Sequence, residues 1–91
     1  MNILVISGSP RTDSNSLNVA KYVSGQLNQQ DNIESRIFDL NDCTLEMWHD
    51  GAPMDDMAKE LIHWAQGYVF IVPEWHGMVP PAFKNLFYYF N

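Results

Sequence analysis

Apolar residues change their spacing along this chain, and each change marks a new element. Ile3 to Ile6 form an unbroken apolar run, the pattern of a strand covered on both faces. Ser7-Gly-Ser-Pro-Arg-Thr-Asp-Ser-Asn-Ser16 follows, built almost wholly from turn and cap residues. Leu17, Ala20, Val23 and Leu27 then fall at helical spacing. Ser14, Asn15 and Ser16 are all competent N-caps for that helix, and Asp31-Asn32 breaks it. From Ile33 to Phe38, Ile33 and Ile37 share one face and Glu34 and Arg36 the other. That alternation predicts a strand exposed on one side, at a sheet edge.

Residues 39–52 read as a long polar connection. From Pro53, the residues Met54, Met57, Ala58, Leu61, Ile62 and Ala65 trace one apolar face, the clearest helix in the chain, with Gly67 as its end. Tyr68 to Val72 form a further buried strand. After Pro73-Glu-Trp-His-Gly-Met-Val-Pro-Pro81, a helix with proline in its first turn should carry Ala82, Phe83, Leu86, Phe87 and Phe90 on its apolar side. The order is βαβαβα, which predicts a parallel sheet with right-handed crossovers. In a flavodoxin-like sheet of order 2-1-3-4-5, the first and third strands are neighbours at the topological switch point. Loops 7–16 and 73–81 would then lie side by side. The expected fold class is α/β: a three-layer, truncated flavodoxin-like unit spanning 1–91, with a parallel sheet of order 2-1-3.

Composition narrows the function classes. The chain has 91 residues, 46% of them hydrophobic, which is enough for one core and too apolar for a disordered segment. Five Lys and Arg stand against eleven Asp and Glu, a net charge of −6 with no basic stripe, so a nucleic-acid partner is not expected. Cys43 is the single cysteine, which excludes an internal disulfide and a cysteine-based metal cluster and reads as an inert thiol. No apolar run reaches the length of a bilayer span, and MNILVIS reads as a strand rather than a leader. A cytoplasmic protein without membrane contact is expected.

Candidate chemistry sits in the two unusual loops. The first ends at a helix N-terminus, where free N–H groups and the helix dipole favour an anion. Ser7, Ser9, Thr12, Ser14 and Ser16 can add hydroxyls, Asn15 an amide and Arg11 a guanidinium. Neither a dinucleotide fingerprint nor an NTPase loop is present. Hydroxyls in their place suit a terminal monophosphate, although an ordinary serine-rich helix cap has the same composition. In the second loop, Pro73 and Gly77 shape a backbone that a planar ring can approach. Trp75 and His76 can flank such a ring, and Met78 is a soft apolar contact. His49, Asp50, Asp55 and Asp56 lack a regular ligand spacing, so no metal site is expected. His63, between apolar helix positions, reads as partly buried. A phosphorelay receiver domain shares the topology but needs acidic residues where Ser7-Gly8 and Val72-Pro73 stand.

These two loops resemble those of the NADPH-dependent FMN reductase family. Residues 7–16 are similar to its phosphate loop. Pro73-Glu-Trp-His-Gly-Met-Val-Pro80 with Phe83-Lys-Asn85 is similar to its Pro-Glu-Tyr-Asn-Gly-Ser-x-Pro and Leu-Lys-Asn. The resemblance implies FMN held by its phosphate at Ser9, Arg11, Ser14, Asn15 and Ser16, with the ring against Pro73, Glu74, Trp75, His76 and Gly77. It implies hydride taken from NAD(P)H and electrons passed to a small-molecule acceptor such as a flavin, quinone or azo compound, with no catalytic acid or base. His76 stands where the family has Asn, Met78 where it has Ser, and Tyr88 where Asp is common. The family's later strands and third flavin loop do not occur in this chain. The competing expectation is therefore a truncated or partner-dependent fragment without activity of its own. Tyr68 to Val72, left as an apolar edge, predicts a homo-oligomer.

Overall fold

Leu4, Val5 and Ile6 are fully buried, as the middle strand of a two-sided sheet requires. The structure, a computed structural model, describes residues 1–9, 15–42, 49–50, 56–73 and 81–87. The elements are β1 (Asn2–Ser7), α1 (Asn15–Asn28), β2 (Glu34–Asp39), a short 3-10 turn (Leu40–Asp42), α2 (Asp56–Trp64), β3 (Gly67–Ile71) and α3 (Pro81–Phe87). The strands form a parallel sheet of order β2-β1-β3. This is the α/β arrangement and strand order of the first part of a flavodoxin-like fold. Val5 lies between Ile37 of β2 and Val69 of β3, and Ser7 between Asp39 and Ile71.

Strand alternation sorts the two faces. Leu4 and Ile6 join Phe38, Leu40, Ala58, Phe83 and Leu86 in the main apolar cluster, flanked by Leu61, Ile62, Ala65 and Val72. That layer seats α2 and α3. α1 covers the opposite face, where Ser35 Oγ donates to the Ser24 carbonyl at 3.0 Å and the two hydroxyls are themselves hydrogen-bonded. The Asn28 side chain clamps the start of β2: its Oδ1 accepts the Ser35 N–H at 2.7 Å.

Several sequence expectations are refined by this packing. In α1 the sheet-facing stripe is Ser16, Ala20 and Ser24, while Leu17, Val23 and Leu27 lie half-buried beside it. Small side chains at i, i+4 and i+8 let the helix lie close to the strands, and the Ser24 hydroxyl bonds to that of Ser35 on β2. β2 is an edge strand as expected, but Phe38 on its supposedly exposed face is 1% accessible, because α2 and α3 cover that end. At the open end of the same face, the Arg36 guanidinium lies 4.3 Å from the Trp64 ring centroid and 3.4 Å from Glu34. Met57 and His63 are exposed on α2 rather than turned inward. Gly67 opens β3 instead of closing the helix, which ends at Trp64. There Asn2 and Gln66 interlock: each backbone N–H donates to the other residue, to the Asn2 carbonyl and to Gln66 Oε1, both at 2.8 Å.

Candidate functional site

Parallel strands end together, so the loops after β1 and β3 leave the sheet from one edge. The Gly8 N–H donates to the Ile71 carbonyl at 2.7 Å, tying the first residue after β1 to the last residue of β3. Gly8 is also tightly enclosed. A Cβ there would stand 2.8 Å from Phe83 Cδ1 and 3.1 Å from the Ile71 oxygen, so only glycine fits without movement. Phe83 in turn meets Phe70 edge-on at 5.7 Å and Phe87 edge-on at 4.9 Å. One aromatic contact thus fixes α3, which follows the second loop, against both β3 and the first loop.

The other side of this edge belongs to α1. Ser24 sits over Ser35, the partner of Ile3 near the start of β1. From Ser24 back to Ser16 the helix rises about 12 Å, and from Ile3 forward to Ser7 the strand rises about 13 Å. The first turn of α1 therefore stands over the level of Ser7 and Asp39. Ser7, Ser9 and Ser16 are all buried there, at 0%, 2% and 7% exposure. Asp39 is buried as well, and its Oδ1 accepts the Asn41 N–H at 3.1 Å in the turn that follows β2. Among the described residues, no acidic side chain lies in the first turn of α1.

Of the residues marked by sequence, Ser9 and Ser16 are buried at this edge, Asn15 is exposed at the start of α1, and Pro73 is half-buried after β3. Arg11, Ser14, Glu74, Trp75, His76 and Gly77 lie outside the described residues. Sequence reasoning missed the steric role of Gly8 and the reach of Phe83 from α3 to the first loop. Its available signal was a glycine directly after a buried strand, but nothing local tells which neighbour crowds it.

Residues 1–91 match the family described as NADPH-dependent FMN reductase. The chain belongs to that family. A relative of this FMN reductase family member is the NADPH azoreductase of Bacillus sp. (strain OY1-2), 30% identical over 90 residues. The match covers 93% of this chain and 47% of the azoreductase, so the chain spans about half the length of that curated relative. The family uses flavin and NAD(P)H, which makes it a family of oxidoreductases. Among the described residues of this member, no helix is long and apolar enough to cross a membrane.

Proposed function

We propose that this chain holds FMN across the edge shared by β1 and β3 and works as part of an NAD(P)H-dependent oxidoreductase. The observation that carries the proposal is the Gly8–Ile71 hydrogen bond, which ties the residue after β1 to the end of β3 and so supports a phosphate-type loop and a ring-type loop leaving the sheet as neighbours. The donor set suits a phosphomonoester: buried hydroxyls at Ser9 and Ser16, backbone N–H groups at the start of α1 and the Arg11 guanidinium. Ser14 and Asn15 complete that set. Pro73, Glu74, Trp75, His76 and Gly77 would bound the ring.

When bound, the flavin supplies the redox chemistry, accepting hydride from NAD(P)H and releasing electrons to a small-molecule acceptor. The protein's own work is positioning. The first loop anchors the phosphate, the second limits how the ring can lie, and the Phe70–Phe83 contact keeps the two in register. A flavin, quinone or azo acceptor fits the family, and a cytoplasmic location fits a reductant drawn from NAD(P)H. The exposed aromatic side of β3, with Tyr68 and Phe70 at 38% and 37%, favours a second reading in which this unit completes its site only with further sheet from a partner.

Fluorescence titration of the chain with FMN and with riboflavin tests the phosphate anchor. FMN should bind at least tenfold more tightly, since several charge-assisted hydrogen bonds, each about 1.5–3 kcal/mol, go to the phosphate alone. Equal affinities would remove the basis of the proposal.

A further inference from the structure

Ser7 is fully buried, yet its Oγ has no hydrogen-bond partner among the described residues. A buried hydroxyl left unpaired costs roughly 1–3 kcal/mol, and native structures keep few of them. The residue is not one of those that the family resemblance assigns to the flavin. On one side Asp39 directs a carboxylate oxygen to the Asn41 N–H, and on the other Ile71 gives its carbonyl to Gly8. By strand alternation Ser7 faces the α1 side, like Val5 and Ile3, at the level of the first helical turn. Ser9, two residues further on, and Ser16, in the first turn of α1, are buried as well. An orphaned donor and a helix N-terminus free of acidic side chains in its first turn therefore address the same place.

We propose that Ser7 is a further anion-binding residue whose hydroxyl donates from beneath the helix to the phosphate held by the first loop. The inference rests on the proposed function and adds a floor to the phosphate site. Ser9 and Ser16 would grip the anion from the loop and helix; Ser7 reaches it from the sheet. The hydroxyl is spent on the ligand, not on the fold. Removing it should weaken phosphate binding while leaving the ligand-free protein as stable as before, or slightly more so, because Ala leaves no orphaned polar atom.

The test compares wild type, Ser7→Ala and Ser7→Cys, a near-isostere with a weaker donor. FMN and riboflavin affinities are measured by fluorescence titration, and the ligand-free melting temperature by circular dichroism. The expected result is a fall of about tenfold in the FMN-to-riboflavin affinity ratio for Ser7→Ala and a smaller fall for Ser7→Cys. Ligand-free melting should be unchanged or higher in Ser7→Ala. If the wild type itself shows no preference for FMN, the functional reading and this inference fall together. If the wild type prefers FMN and both variants keep the ratio, Ser7 alone is misassigned and a water or the loop backbone satisfies it. A lower melting temperature or loss of folding in Ser7→Ala would also overturn the inference, since it would show that the hydroxyl serves the fold.

Discussion

Gly8 and Phe83 are in contact so close that a single added methyl at Gly8 would overlap the ring, at 2.8 Å from Cδ1. The glycine belongs to the first loop and the phenylalanine to the last helix, so the overlap would press Gly8 and α3 apart. Gly8→Ala should destabilise the protein by about 1–3 kcal/mol, the usual range for overpacking. Phe83→Leu in the same background should recover part of that loss. Urea unfolding of the two single variants and the double variant measures the coupling; strictly additive effects would mean the contact is not what constrains Gly8.

The phosphate anchor predicts a selective defect. Ser9→Ala combined with Arg11→Ala removes a hydroxyl and a guanidinium from the first loop. FMN affinity should fall by about tenfold or more, while riboflavin affinity changes little. Titration of both ligands decides the matter, and equal losses would count against a phosphate at this loop.

The serine pair under α1 predicts coupling of another kind. Ser35→Ala leaves the Ser24 hydroxyl buried with its hydroxyl partner gone, and should cost about 1–3 kcal/mol. The Ser24→Ala, Ser35→Ala double variant should cost clearly less than the sum of the two singles. Full additivity in denaturant melts would sever the proposed link between helix and strand.

Self-association is the last expectation. β3 is an edge whose Tyr68 and Phe70 are more than a third exposed, and Phe87 beside them is 45% exposed. Tyr68 and Phe70 stack at 6.1 Å, and Phe70 meets Phe87 at 5.3 Å, so the exposed rings form one continuous surface. Sedimentation equilibrium should show the average mass rising with concentration toward a homodimer or larger species. A cooperatively folded monomer at every concentration would contradict it.

The periodicities carried the topology well. Apolar runs at 3–6 and 68–72, separated by helical patterns, gave the βαβαβα alternation, and the flavodoxin-like topology supplied the order β2-β1-β3 that the sheet has. Serines at Ser16 and Ser24 concealed the true inward stripe of α1, because polarity scales count a hydroxyl as outward while a bonded hydroxyl is at home inside. Phe38 was hidden for a different reason. The cover over one end of a strand comes from distant segments, here α2 and α3, and no local alternation reports it. The candidate site was legible as composition in two loops, yet the enclosure of Gly8 and the isolation of Ser7 arise only when three segments meet.

The placement of β1 between β2 and β3 has a consequence for how the chain is born. β1 precedes both of its neighbours, and the α1 crossover lets β2 close on it first. Its other edge waits for residues 67–71, roughly thirty residues later, which a ribosome supplies in about 2–6 s. Through that interval the backbone groups of Asn2, Leu4 and Ile6, which point to the β3 side, have no ladder partner, and α1 can be seated before Gly8 has an Ile71 to bond. The order of synthesis therefore makes the joining of the two loops a late event, finished only when β3 arrives.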